Sequence, residues 1–201
     1  PFTDHPEADD HSALRSSETI RLGYYSCEFR QSGIRTEITS GEKAALYRFT
    51  YPEDAVLRGL EVDAGHCLSE TETYKHGINQ WVMDAGITQE SSCSVSGYTT
   101  VGGGWGTAKP YTAYFYMETD TPIEAHVSTH DALNLLFDTD TLSVRIGVSF
   151  LSVDKARENA MTISYDFDKV EGDLVSTWND LLSRIEIDED APETVKVQFY
   201  S

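Results

Sequence analysis

The most constraining feature of the sequence is a long succession of short strand-like runs separated by turn residues. From Gly23 to Leu151, aromatic, apolar and β-branched residues gather in short runs that Gly, Pro, Asn and Asp interrupt. The clearest run is YTAYFYMET at 111–119, which has Tyr and Phe on both faces. Strands of this length, joined by turns and with few long helices, are typical of an antiparallel β-sandwich. We therefore predict a mainly β fold.

Turn residues divide this region into individual strands. GYYSCEF and IRTEIT flank RQSG, which predicts a hairpin with Gly33 at its turn. The segment 78–101 is predicted to contain two or three strands, broken near Gly86 and Gly97. Further strands are predicted in ALYRFTY, AVLRGLEVDAG, EAHVSTH, ALNLLFD and LSVRIGVSFL, with Ala55, Leu57 and Leu60 as candidate core residues.

Helical periodicity is confined to the C-terminal part of the chain. An amphipathic helix is predicted over 168–185, with Asp166 or Asp168 as its N-cap. Its apolar stripe consists of Val170, Leu174, Trp178, Leu181 and Ile185. The stretch EIDEDAPETVKVQF that follows is interpreted as an acidic loop. The predicted organisation is a polar lead-in over 1–20, a β-sandwich over 21–151 and a helical linker over 152–201.

Charge and hydropathy argue against two classes of partner. The chain has 34 acidic and 15 basic residues, a formal net charge of −19, and this field would repel nucleic acid. It does not affect a neutral substrate such as a sugar. No apolar run approaches the roughly 18 residues of a membrane span. The chain starts at Pro1 and stops in VQFYS, within an apolar pattern, so we expect a piece of a longer protein.

The stretch GVSFLSVDKARENA raises the question of a serine nucleophile. Ser152 and Lys155 have the S-x-x-K spacing of the penicillin-recognising enzymes, but the S-D-N and K-T-G elements are absent. The pattern changes from strand to helix at Ser152, and an acidic residue in the first turn suits the helix dipole. We therefore predict that Ser152 caps a helix and that Arg157 and Asn159 stabilise this turn.

The Gly-rich stretch VGGGWGTAKP, residues 101–110, offers one candidate binding residue. A dinucleotide loop would follow a strand and open a helix, whereas this stretch runs into a Lys-Pro pair and another strand. Two interpretations stay open. The stretch is either a flexible hairpin loop or a loop that presents Trp105 to the C–H face of a pyranose.

No metal or catalytic site can be assigned from residue spacing. The six histidines lack zinc-type spacings, and the acidic clusters at 138–141 and 188–193 do not match an EF-hand loop. A glycosidase needs two facing carboxylates, and no pair stands out among the 34 acidic residues. The three cysteines, Cys27, Cys67 and Cys93, are predicted to be free thiols, with a single disulfide as the alternative.

Several motifs, in order along the chain, resemble the family 92 glycoside hydrolases. IGVSFLSVDKARENA resembles the family's I-G-[IV]-S-F-x-S-V-x-x-A-R-x-N segment, and FDKVEGDLVSTWNDLLSRIEI resembles its F-D-x-V…W-x-x-x-L-x-x-I helix. SETIRLGYYSCEF is similar to H-E-x-E-x-A-x-P-G-Y-Y-S-V, and GGGWG followed by KPYTAYF is similar to G-G-F-C-G…P-Y-x-x-Y-F. ETVKVQFYS resembles the start of the first helix of the family's catalytic domain. The resemblance covers residues 14–201.

This resemblance implies a β-supersandwich of galactose-mutarotase type, the N-terminal domain of a calcium-dependent, inverting exo-α-mannosidase. In that family a helical linker joins the sandwich to an (α/α)6 barrel, which carries the catalytic acid, the base and the calcium ligands. The substrate lies between the two domains. The implied partners are an α-mannoside glycan and the chain's own C-terminal catalytic domain. A secreted or cell-surface bacterial protein that degrades N-glycans is implied, with a cytoplasmic location as the alternative.

The departures from the family pattern limit which residues carry a role. Arg15, Ser16 and Leu22 replace a His, a Glu and a Pro of the family segment. Glu18 is the retained polar candidate for substrate binding, and a structural hydrogen-bond partner is its favoured interpretation.

Three functions follow from these observations. The favoured one is a non-catalytic mannosidase domain that supplies scaffold and one wall of the substrate pocket. A stand-alone carbohydrate-binding module is the alternative, and a purely structural sandwich is the third. No catalytic and no metal-binding residue is predicted within the chain.

Overall fold

The computed structural model describes residues 1–4, 12–67, 80–103, 109–129 and 131–200, and these form a β-sandwich with helices on one side. The strands are β1 Thr19–Arg21, β2 Tyr24–Glu28, β3 Arg35–Ser40, β4 Ala44–Thr50, β5 Gly59–Asp63, β6 Gln80–Ser91, β7 Ser94–Gly103, β8 Tyr111–Thr119, β9 Ala125–Ser128, β10 Ala132–Leu136 and β11 Thr141–Ser149. The helices are α1 Val153–Ala160, α2 Phe167–Leu182 and α3 Glu193–Tyr200.

Two antiparallel sheets form the sandwich. The larger has eight strands in the order β1-β2-β3-β4-β11-β8-β7-β6, and the smaller has three in the order β5-β10-β9. One apolar core lies between them, with Phe49 and Val144 from the large sheet and Leu60 and Leu135 from the small one. The predicted mainly β sandwich is therefore confirmed, as is the hairpin at Gly33, which has a φ of +66°.

Alternation along the central strands produces a third layer. In β4, Phe49 packs into the sandwich core, while Leu46 points to the opposite face and is fully buried. Phe167 and Val170 of α2 cover Leu46 on this outer face. Both faces of the middle strands are thus buried, and the helices pack on the side of the large sheet that the small sheet leaves open.

Capping residues fix where α1 and α2 begin. The Ser152 hydroxyl accepts a hydrogen bond from the Lys155 amide at 3.1 Å, and the Asp166 carboxylate accepts one from the Lys169 amide at 3.0 Å. Each bond satisfies a backbone N–H that the first helical turn leaves without a partner. The predicted Ser152 cap is confirmed, and Asp166 is the N-cap of α2.

The predicted strand breaks near Gly86 and Gly97 are wrong. Both glycines lie inside continuous strands, β6 and β7, and the chain turns instead at 92–93. A Cβ on Gly86 would lie 2.8 Å from Cε1 of Tyr98, and one on Gly97 would lie 2.5 Å from Cε1 of Phe115. These glycines make room for cross-strand aromatic rings, so they do not mark turns.

The C-terminal stretch also differs from the loop interpretation, because α3 forms at Glu193–Tyr200. The resemblance to a family helix is the better guide there. Val195, Val197 and Phe199 alternate along the sequence, so no single helical stripe is visible in it. All three side chains are about half exposed, and no residue of α3 is buried.

The lead-in segment contributes to the sandwich more than its polar composition suggests. Phe2 is only 2% exposed, and it exchanges two backbone hydrogen bonds with Gly59 of β5. The three cysteines, all within the described residues, form no disulfide, as predicted. None of the described helices is both long and apolar enough to cross a membrane.

Candidate substrate-binding residues

Glu18 directly precedes β1, an edge strand of the large sheet. Its Oε1 accepts a hydrogen bond from the Tyr25 hydroxyl at 2.9 Å, across the β1–β2 pair. This bond raises the pKa of Tyr25, because it favours the protonated phenol. The Glu18 side chain is exposed to solvent while it is hydrogen-bonded to Tyr25.

Trp105 lies outside the described residues, between β7 and β8. β7 ends at Gly103, which has a φ of +83°, and β8 begins at Tyr111. Gly103 pairs with Gln80, and Gly102 pairs with Trp81 at the start of β6. The last described residues of β7 therefore lie beside Trp81, an indole that is 49% exposed.

The sheet order separates β1, which follows Glu18, from β7, the last described strand before Trp105. β1 is the first strand in the order and β7 is the seventh. At about 4.8 Å per strand, six steps separate these two strands by roughly 29 Å.

The Ser152–Lys155 pair lacks the geometry of a catalytic dyad. Lys155 Nζ pairs with Glu158 Oε2 at 2.7 Å, and only the Lys155 backbone bonds to the serine hydroxyl. Asn159 donates to the Val148 carbonyl at 2.7 Å, which stabilises the turn from β11 into α1 as predicted.

Arg157 has the other stabilising role that the sequence predicted. It forms an ion pair with Glu90 of β6 and lies 4.8 Å from the centre of the Tyr116 ring. The edge of α1 is thereby attached to two strands of the large sheet.

No metal centre forms among the described residues. They contain no group of three or more His, Cys, Asp or Glu side chains that could hold an ion. In the acidic cluster 138–141, Asp140 forms an ion pair with Arg58 at 2.6 Å. In the cluster 188–193, Asp188 accepts from the Asp190 amide and Glu193 begins α3. These acidic groups have structural and solvated roles.

A buried ion pair connects the large sheet to α2. Glu37, only 7% exposed, receives two hydrogen bonds from Arg48 at 2.7 and 2.9 Å and one from the Tyr24 hydroxyl at 2.7 Å. The Arg48 guanidinium holds the pKa of Glu37 below its usual range, against the opposing effect of burial. Arg48 also lies 4.5 Å from the centre of the Phe167 ring, at the start of α2.

An open groove lies between α2 and the β3–β4 turn. Its volume is about 1070 Å³. Its lining includes the turn residues 41–43 and Leu174, Trp178 and Leu181 of the predicted stripe. Trp178 is 44% exposed and Leu181 is 42% exposed, so the middle of the stripe is only half covered.

Sequence reasoning missed one surface, which we call the aromatic face: Trp81, Tyr98 and Tyr114 on β6, β7 and β8. The Tyr98 and Tyr114 ring centres are 6.4 Å apart and their planes are tilted by 46°. The Tyr98 hydroxyl donates to Asp84 at 3.0 Å, which raises the pKa of Tyr98. Gly86, which lies beneath the Tyr98 ring, was an available signal, but it was interpreted as a strand break.

Comparison with known proteins gives a family and a fold. The model of the glycosyl hydrolase family 92 N-terminal domain matches residues 2–169. No curated protein matches the chain. The structure of BT3965, a family GH92 alpha-mannosidase from Bacteroides thetaiotaomicron, has a TM-score of 0.75 and a sequence identity of 20% to this chain. The aligned region covers 90% of this chain and 26% of the BT3965 chain.

Two other solved structures are similar. BT2199, a family GH92 inverting mannosidase from B. thetaiotaomicron VPI-5482, has a TM-score of 0.67 and a sequence identity of 22% to this chain. The aligned region covers 88% of this chain and 24% of the BT2199 chain. The GH92 glycosyl hydrolase ccman5 has a TM-score of 0.64 at 19% identity, over 89% of this chain and 26% of that one. This chain therefore spans about a quarter of each of these proteins.

At these identities the solved structures establish the fold, and the family model establishes the membership. The chain belongs to glycosyl hydrolase family 92, as its N-terminal domain.

Proposed function

We propose that this domain is the non-catalytic part of an inverting exo-α-mannosidase, in which it supplies scaffold and one wall of the substrate pocket. The observation that carries this proposal is the half-covered apolar stripe of α2. Trp178 and Leu181 are more than 40% exposed near the end of α2, whose first turn is anchored to the sandwich. The predicted helix to 185 ends earlier, at Leu182, and Ile185 lies three residues beyond it and is 60% exposed. Such a surface fits a second domain packed beyond it.

The charge and hydrogen-bond partners of the acidic residues support a non-catalytic role. An inverting glycosidase needs two carboxyl groups about 6.5–9.5 Å apart with a water between them. The most buried carboxylate described, Glu37, is bonded to Arg48 and Tyr24 beneath α2. Glu118 of β8 accepts a hydrogen bond from Arg145 of the neighbouring strand β11. Both carboxylates are thus engaged by cationic side chains within the fold.

The remaining parts of the proposal extend the family resemblance. From that resemblance, the calcium ligands, the acid and the base are proposed to lie in a following (α/α)6 domain. The loop that bears Trp105 is the proposed wall of the pocket, and Glu18 has the role of positioning Tyr25. An α-mannoside glycan is the proposed substrate, and a secreted or cell-surface bacterial location is proposed.

The test compares the 201-residue chain with the protein encoded by its whole reading frame. Mannose release from α-mannosides is measured with calcium present, and the anomer first formed is identified by NMR. We expect activity, with inversion, only when a helical domain follows Ser201. Turnover by the repurified 201-residue chain that a single Asp or Glu substitution abolishes would contradict the proposal.

A stand-alone carbohydrate-binding module is the second candidate, and the exposed aromatic face favours it. A reading frame that stops at Ser201 would support this candidate against the first. A frame that continues into helix-rich sequence would support the mannosidase domain.

A further inference from the structure

The rings of the aromatic face lie directly on the sheet because glycines lie beneath two of them. A Cβ on Gly86 would lie 2.8 Å from Cε1 of Tyr98, and one on Gly102 would lie 3.1 Å from Cε2 and Nε1 of Trp81. A glycine inside a strand is less favourable than alanine. Here it allows a ring to lie against the backbone, and Trp81 remains 49% exposed.

Polar groups lie beside these rings on the same face of the sheet. The Asp84 carboxylate accepts from the Tyr98 hydroxyl at 3.0 Å, and the Thr100 and Thr112 hydroxyls are hydrogen-bonded at 2.8 Å. A hexopyranose has an apolar C–H face that packs on aromatic rings, and hydroxyls that bond to carboxylate and hydroxyl oxygens. The aromatic face offers both kinds of group within three neighbouring strands.

We propose that the aromatic face binds a neutral hexopyranose oligosaccharide. The chain's net charge of −19 and the Asp84 carboxylate disfavour an anionic sugar, whereas a neutral one is not repelled. The nearest cation on α1, Arg157, forms an ion pair with Glu90 and is therefore compensated. This inference goes beyond the proposed function, since a scaffold domain does not require a sugar-binding face of its own.

The test is direct binding by the 201-residue chain, with α-1,6-mannotriose, maltotriose and trigalacturonate as probes. We expect saturation-transfer NMR to show aromatic contact with the ring C–H protons of at least one neutral probe and none with trigalacturonate. Tyr98→Ala and Trp81→Ala should each weaken binding about tenfold or more, equivalent to about 1.4 kcal/mol. Trp81 is 49% exposed, so its truncation leaves a folded protein for the measurement.

One control separates this face from other aromatic residues. Phe150→Ala removes an aromatic ring that is 73% exposed and lies outside the aromatic face, so binding should not change. Absence of binding by any neutral probe, binding that survives both Tyr98→Ala and Trp81→Ala, or binding that Phe150→Ala alone removes would each overturn the proposal.

A contact surface for another protein domain is the competing role of this face. In that case Tyr98→Ala would weaken domain association in the longer protein while sugar binding stayed unchanged, and the proposal would be overturned. None of these results depends on whether the longer protein hydrolyses mannosides, so the two proposals fail independently.

Discussion

Gly147 of β11 lies in backbone contact with Ala156 of α1. A Cβ placed on Gly147 would lie 2.1 Å from the Ala156 carbonyl oxygen and 2.4 Å from the Ala160 amide nitrogen. Ala156 and Ala160 are both fully buried. A small residue on the strand and two on the helix thus let α1 pack at very close range. This packing explains why the strand and the helix form one motif in the sequence.

The first prediction is that Gly147→Ala destabilises the domain by about 3 kcal/mol, the upper end of the range for overpacked cores. The added methyl group would meet backbone atoms, which cannot move aside as a flexible side chain can. Urea denaturation of the 201-residue chain measures the loss. The control is Gly172→Ala in α2, where nothing lies within 4 Å, and we expect it to stabilise by about 0.5–1 kcal/mol. A neutral Gly147→Ala would contradict the contact.

Most of the fold was predictable because local patterns and tertiary packing agree. Period-two runs and turn residues identified the strands, and Ser152 and Asp166 identified the helix starts. Gly86 and Gly97 were misread because a glycine beneath a ring and a glycine in a turn look identical in one sequence. Which strands are neighbours, and so what lies beneath which ring, is a property of the tertiary fold.

The second prediction concerns Ser152→Ala, which removes the N-cap of α1. We expect a loss of about 0.5–2 kcal/mol of stability, because the Lys155 amide loses its acceptor. Activity of the longer protein should be nearly unchanged. The measurement pairs a denaturation curve with a turnover assay. Normal stability combined with abolished turnover would instead indicate a serine nucleophile.

The third prediction uses the ion pair between Glu37 and Arg48. Because the folded-state pKa of Glu37 is lowered from its usual 4.5, the pair contributes stability above that value. This contribution is lost as the pH falls through the lowered pKa, where the folded carboxylate takes up its proton. Glu37→Gln should therefore destabilise by about 1–3 kcal/mol at neutral pH.

The pH dependence distinguishes this pair from a surface one. The difference between wild type and Glu37→Gln should shrink as the pH falls below about 4. Asp173→Asn is the control, since its pair with Lys169 is exposed and should contribute little to stability. Denaturation curves at a series of pH values measure both variants. A loss that is the same at every pH would contradict an ionic contribution from Glu37.

The candidate site was less predictable than the fold. Glu18 accepts a hydrogen bond from Tyr25, as its structural interpretation expected, and its role in substrate binding stays a prediction. The aromatic face was not predicted, since Trp81, Tyr98 and Tyr114 lie on three strands and no spacing along the chain unites them. The β7–β8 register pairs Tyr98 with Tyr114, and the β6–β7 register places Trp81 on the same face opposite Gly102, four residues further along β7.

The last prediction concerns Trp178, which is 44% exposed on α2. Truncating a fully buried Trp costs about 3–5 kcal/mol, and a half-exposed one costs less. If a following domain covers the apolar stripe, Trp178→Ala should cost about 3–5 kcal/mol in the longer protein and clearly less in the 201-residue chain. Ser176→Ala, on the exposed opposite side of α2, should change neither. Denaturation of both proteins measures the difference, and equal losses would mean that Trp178 stabilises the sandwich alone.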